Sequence, residues 1–188
     1  MSLNLKSSPD PGPREFALKC VSDFCFLEDV EVPEVDKPEN EGALLINVNE
    51  EPLKTSYLTV YHQPVCENSV FPWGNFLRAV ERALKEKGKV FVTSKEGCGR
   101  ASAVAVAAAL ASKVDYKIVR SKFGECKMNY EQLVNAIFVG LVLRKFGDEL
   151  GVEKLMDGCE GVKGWRNAME LCEIRKEAHE LASEWLAE

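Results

Sequence analysis

Residues 94–100, Ser-Lys-Glu-Gly-Cys-Gly-Arg, bring together the groups needed to hold an anion. Gly97 and Gly99 let the backbone come close to a ligand. Arg100 carries a planar fork that grips phosphate or sulfate oxygens two at a time. The apolar run Lys-Val-Phe-Val-Thr (89–93) precedes the segment, and an alanine-rich stretch begins at Arg100. The expected order is therefore buried strand, glycine-bearing loop, buried helix. In that arrangement loop amides and the helix N-terminus converge on one point and favour negative charge there. Ser94 and Cys98 add two nucleophilic side chains to the same loop.

Three phosphate-loop patterns compete for this segment. The pattern G-x-x-x-x-G-K-[ST] is absent. Gly-Cys-Gly-Arg-Ala-Ser resembles a shortened G-x-G-x-x-G, with Asp115 near the place of a ribose-binding acid. That acid should end a second strand, and the residues before Asp115 are helical in pattern. The third pattern is Ser94-x5-Arg100, which resembles the Cys-x5-Arg loop of the dual-specificity, cysteine-dependent protein phosphatases. The likeness extends to Ala-Leu-Leu-Ile-Asn-Val-Asn (43–49) as an early strand and to residues 116–137 as the two helices after the loop. It spans roughly residues 20 to 145. It implies an α/β fold with a central sheet flanked by helices; residues 148–188 lie outside it and read, from their own pattern, as a helical C-terminal extension. It also implies that Ser94, Lys95, Glu96, Gly97, Cys98, Gly99 and Arg100 form a phosphate cradle.

In that family a cysteine thiolate attacks phosphorus, an aspartic acid protonates the leaving group, and a histidine and a hydroxyl tune the thiolate. Here Ser94 stands at the nucleophile position, Thr93 at that of the histidine and Ala101 at that of the hydroxyl. An alkanol needs an adjacent general base to act as nucleophile, and none is visible beside Ser94. No aspartate occurs between Asp36 and Asp115, so Glu67 is the one carboxylate in the window expected for the general acid. Cys98 is four residues from the nucleophile position; an oxidation-sensitive thiol near a helix N-terminus and Arg100 stands as one alternative to the plain reading of a small, mostly buried residue. Together these departures predict a catalytically impaired member, a pseudophosphatase that binds phosphorylated protein, phosphopeptide or a related oxyanion. Two alternatives stay open. One is an active protein phosphatase whose cysteine has been exchanged for Ser94, or that uses Ser94 with Glu67. The other is a scaffold that recruits partners through its C-terminal helix.

The elements that must position the loop follow from periodicity. Residues 16–32 contain one or two short strands, and 43–49 and 56–65 one each. A helix over 72–88 places Phe76, Ala79, Val80, Ala83 and Leu84 on one face. Arg100 to about Val114 is apolar nearly all round, the pattern of a central buried helix. A short helix follows over 115–124, and another runs from an Asn129 cap to Gly147. Residues 148–161 read as a short helix and turn. The last helix, from about residue 164, shows an apolar side marked by Trp165, Ala168, Cys172, Leu181 and Trp185. The organisation expected is a flexible 1–14, a phosphatase-like domain over 15–147, and a 148–188 extension packed on it.

Composition narrows the partners. In 188 residues, 46 % hydrophobic and 29 % charged, the formal net charge is −6. That disfavours a broad grip on nucleic acid or anionic membrane, while leaving room for a small positive pocket. No cofactor is implied. The seven cysteines include no C-x-x-C pair, and two histidines are too few to build a zinc centre with them. With no apolar run long enough for a signal peptide or a span, the cysteines are expected to be reduced and mostly buried, in a cytoplasmic protein.

Overall fold

The structure, a computed structural model, describes residues 16–65, 73–124, 126, 128–147 and 168–187. Its core is a five-stranded sheet in the order β1-β2-β5-β3-β4. The strands are β1 (Lys19–Val21), β2 (Phe24–Glu28), β3 (Leu44–Asn47), β4 (Thr59–His62) and β5 (Val90–Ser94). β1 and β2 form an antiparallel hairpin, while β2, β5, β3 and β4 run parallel. Parallel strands covered on both faces lose the polar/apolar alternation, which is why β3 and β5 are buried along their whole length.

The two faces divide the side chains by the period of two. Phe24, Phe26, Leu44, Ile46, Val90 and Val92 point into the main core, under the helices. Cys25, Leu27, Leu45 and Phe91 point the other way, against Val32, Val35 and Leu58. The second face is closed by 3-10 turns at Asp29–Glu34 and Pro38–Asn40; the first of these begins inside the stretch whose pattern reads as strand, just after β2 ends at Glu28. Asp36 fastens this cover by accepting the backbone N–H of Ser56, Tyr57 and Leu58 at 2.7, 2.7 and 3.1 Å.

The helices are α1 (Trp73–Lys85), α2 (Arg100–Ala111), α3 (Tyr116–Phe123), α4 (Tyr130–Phe146) and α5 (Ala168–Leu186). Helix α2 is central and buried from Arg100 to Leu110, as its all-round apolar sequence requires. It packs tightly on α4 because small residues face each other: a Cβ on Gly140 would lie 2.7 Å from Leu110 Cβ and 3.0 Å from the Ala107 carbonyl oxygen. The helix stops at Ala111 rather than near Val114. Lys113 turns left-handed (φ 70°), Lys113 N–H donates to Leu110 O, and Val114 N–H reaches back to Ala109 O. This is a Schellman ending, built with lysine where glycine is usual. Asn129 caps α4 as expected, its side chain accepting Gln132 N–H at 2.8 Å while Gln132 Oε1 accepts Asn129 N–H at 3.3 Å.

Helix α5 buries Leu171, Ile174, Ala178, Ala182 and Trp185. Cys172, expected on the apolar side, is exposed, and Leu181 is half-buried. The stripe at spacings of three and four runs through Leu171, one position, or about 100° of helix turn, from Cys172. The side chains of Trp165 and Ala168 lie outside the described residues. The helix is braced by Tyr116 Oη donating to Leu181 O at 2.9 Å and by Arg120–Glu184 and Lys145–Glu170 ion pairs at 3.1 and 3.4 Å. Among the described residues no helix is long and apolar enough to cross a membrane.

Four of the described cysteines depart from the expectation that they be reduced, although Cys25 and Cys126 are buried as expected. Cys20 and Cys25 face each other across the β1–β2 hairpin and are bonded, and Cys98 is bonded to Cys126. The hairpin register and the approach of the 126 segment to the loop, rather than any spacing motif, bring these pairs together.

Candidate functional site

The parallel register sets the ends of three strands level with one another. Glu28 pairs with Ser94, and Asn47 with Thr93, so the segments leaving β2, β3 and β5 emerge side by side. In sheets of this type ligands bind at the carboxyl ends of the strands. Here those ends deliver Asp29 after β2, Asn49 and Glu50 after β3, Val65 after β4, and the 95–99 loop after β5.

A cavity of ≈ 240 Å³ opens at this point, lined by Ser94, Glu96, Cys98, Gly99, Arg100, Asn129 and Gln132. Five of the seven residues expected in the cradle thus meet around one space. Lys95 is exposed, and its backbone N–H donates to Asn49 Oδ1 at 2.8 Å. Gly97 packs against β2, where an added Cβ would sit 3.0 Å from Glu28 Cγ, and borders a neighbouring cleft. Glu67 lies outside the described residues.

Ser94 ends β5 and is buried, at 2 % exposure. Its Oγ accepts the Ala101 N–H at 3.2 Å. Among the described residues no imidazole or carboxylate shares a hydrogen bond with it. Thr93 points away from the cavity, its hydroxyl donating to Asp29 Oδ1 at 2.8 Å and lying 3.2 Å from Leu27 O. The Asp29 carboxylate also accepts both contacts from Asn49 Nδ2, at 2.8 and 2.9 Å. Asn49 is the hub of the site: its Oδ1 accepts the Lys95 N–H and stands 3.4 Å from Arg100 Nη2.

Arg100 is almost fully buried, at 5 % exposure, yet its guanidinium has partners other than a ligand. Nη1 donates to Val65 O at 3.0 Å and Glu50 Oε1 at 3.3 Å, with Val48 O at 3.5 Å. These carbonyls and one carboxylate satisfy a charge that would be costly to bury alone. The loop amides are also engaged. Gly97 N–H donates to Ser94 O, Cys98 N–H to Glu96 O, and Gly99 N–H to Ser102 Oγ, at 3.1, 2.7 and 2.8 Å. Gly97 and Gly99 take φ of 71° and 135°, the conformations for which glycine is needed. The loop as it stands is internally bonded, so an anion must displace some of these contacts to enter.

Asp29, Asn49, Glu50 and Gln132 were not singled out by the sequence. The signal for two of them is there in hindsight: polar residues directly after a buried strand, Asn49 and Glu50 after Leu44–Asn47, mark the binding end of a parallel sheet.

The fold is a dual-specificity-phosphatase-like architecture, a mixed α/β domain with its central sheet flanked by helices. Solved structures share it, among them these two. DUSP15 matches with a TM-score of 0.52 at 14 % identity, over 86 % of this chain and 94 % of that one. A leucine rich repeat and phosphatase domain containing protein from Entamoeba histolytica matches with a TM-score of 0.50 at 13 % identity, over 70 % of this chain and 94 % of that one. No protein-family model matches the chain, and no curated protein matches it. Identities this low speak to fold alone.

Proposed function

We propose that this chain is a phosphatase-fold protein that binds a phosphorylated peptide or similar oxyanion at the 94–100 loop and does not turn it over. One observation carries the reading: the residue at the nucleophile position is a buried serine whose Oγ accepts a backbone N–H from Ala101, with no base hydrogen-bonded to it among the described residues. A protonated alkanol in that setting is a poor nucleophile. Thr93, at the place of the family's histidine, bonds to Asp29 behind the strand and does nothing for Ser94. The binding half of the reading is supported by the cavity, by Arg100 on its wall and by the start of α2 at its base. Recruitment through the C-terminal helix has less support, because the apolar stripe of α5 is already covered.

Phosphopeptide titration of the full chain, followed by fluorescence anisotropy, tests binding. Arg100→Lys keeps the charge but loses the fork, and is expected to weaken binding at least about tenfold. Melting of the variant is recorded alongside. In parallel, aryl phosphate hydrolysis is expected at the buffer rate for the native chain and to rise little in Ser94→Cys. Turnover above buffer that vanishes in Ser94→Ala would overturn the non-catalytic reading.

A further inference from the structure

The Cys98–Cys126 bond joins the loop of the site to a residue buried in the main core. Their Cα atoms are 5.3 Å apart across 28 residues of sequence. Cys126 is the anchor: it is buried in the main core beside Met128, its N–H donates to Phe123 O at 2.8 Å, and its carbonyl accepts Met128 N–H at 3.2 Å. Cys98 is the adaptable partner. It is half-buried, flanked by two glycines of positive φ, and borders both the 240 Å³ cavity and the neighbouring cleft of ≈ 380 Å³. Those two spaces bring small oxidants and thiols up to Cys98.

The bond also bears on the loop's internal contacts. For the N–H groups of Gly97, Cys98 and Gly99 to face an anion, they must leave Ser94 O, Glu96 O and Ser102 Oγ. The peptide planes on both sides of Cys98 must then rotate. A Cys98 tied to a core residue is restrained against that rotation.

We propose that Cys98 and Cys126 are a reversible redox latch: their disulfide holds the loop in its internally bonded form, and reduction releases the loop to accept an oxyanion. The link to oxyanion affinity rests on the function proposed above; the release of the loop does not. The oxidant is a hydroperoxide. Cys98 sulfur takes the terminal peroxide oxygen, the O–O bond breaks, and water or an alcohol leaves, giving a sulfenic acid. Cys126 sulfur then attacks Cys98 sulfur, the S–O bond breaks, and water leaves as the disulfide forms. Two electrons pass from the two thiols to the peroxide. A dithiol reverses the change by exchange and is itself oxidised to a disulfide.

Linkage gives a reciprocal signature. If the reduced form binds the anion tenfold more tightly, saturating anion makes the disulfide tenfold easier to reduce, about 30 mV for a two-electron couple. The experiment uses the full chain in a series of glutathione redox buffers, with and without inorganic phosphate. The cysteines are trapped by alkylation and read by mass spectrometry. Amide hydrogen exchange of residues 95–101 and phosphate titrations are measured on the oxidised chain, the reduced chain and Cys126→Ser. That variant leaves Cys20–Cys25 intact and so assigns the effect.

The expected result is a reversible Cys98–Cys126 pair, at least tenfold faster loop exchange and tenfold tighter phosphate binding in both unlatched forms. Loop exchange that is the same in all three forms, or a pair that does not re-form after reduction, overturns the latch. Equal phosphate affinity in all three forms removes the coupling and leaves the function reading standing. Faster exchange on reduction with no phosphate binding in any form upholds the latch and defeats the function reading.

Discussion

Glu50 competes with any anion for Arg100, and its removal is expected to strengthen binding. The carboxylate lies 3.3 Å from Nη1 and its side chain is 65 % exposed. In Glu50→Gln the charge goes while the shape stays. Two effects then favour the ligand. An anion that has to break an ion pair with one exposed partner loses about 0.2–1 kcal/mol, a cost absent from the variant. A bound anion also loses a like charge close by, which at about 4 Å in a water-like medium costs about 1 kcal/mol per unit charge. The high-dielectric limit is the suitable one because Glu50 is mostly solvated. Together they give about 1–2 kcal/mol, or roughly 5–30-fold in affinity. Phosphopeptide anisotropy at low salt measures it, and the gain should shrink as ionic strength rises toward physiological, where the Debye length is about 8 Å. Glu51→Gln is the control: it changes the same net charge one residue away, where the residue's contribution is a backbone carbonyl accepting from Asn47 Nδ2, and should shift affinity less than about twofold. Equal effects from Glu50→Gln and Glu51→Gln, or weaker binding in Glu50→Gln, would refute the competition argument.

Three further outcomes concern the frame around the site. Gly140→Ala places a Cβ 2.7 Å from Leu110 Cβ, so chemical denaturation should show a loss of about 1–3 kcal/mol; a neutral result would mean the α2–α4 contact yields easily. Lys113→Gly relieves a left-handed lysine at φ 70° and should raise stability by up to about 1 kcal/mol, with an unchanged or lowered midpoint as the contrary finding. Burial tends to raise the Asp36 pKa, but the three N–H groups of Ser56, Tyr57 and Leu58 outweigh it and hold the carboxyl below its ordinary 3.8. A lowered folded-state pKa contributes stability above the unfolded value and loses it as pH falls through the folded one. Asp36→Asn should therefore be less stable than the native chain at neutral pH, with the gap closing in acid; a gap independent of pH speaks against this role.

Local chemistry was the legible part of this sequence. The β5–loop–α2 unit, the Asn129 cap and the Gly147 end of α4 follow from residues within a few positions of one another, and they stand where the sequence puts them. The phase of α5 was less legible, since Cys172 is small and apolar by type but sits beside the stripe rather than on it. The end of α2 was hidden because lysine gives no warning of a left-handed turn. The partners of the loop were hidden for a different reason. Asp29, Asn49 and Glu50 reach Thr93, Lys95 and Arg100 only through the register of β2, β3 and β5, which no local pattern encodes. The Cys98–Cys126 pair depends in the same way on where the segment after α3 crosses the loop.

The contacts of Arg100 have a consequence for how such a chain changes over time. Its guanidinium gathers the Val48 and Val65 carbonyls and the Asn49 amide, and so clamps the exits of β3 and β4 to the first turn of α2. Loss of that side chain leaves buried carbonyls without a donor, a burden on folding whatever the loop holds. Ser94, by contrast, offers one oxygen to one amide, and a thiol of similar size sits there at little cost to the frame. Selection for a folded protein alone is enough to preserve the arginine, whereas the frame places no comparable demand on position 94. Within this architecture the arginine records the scaffold, and position 94 records the chemistry.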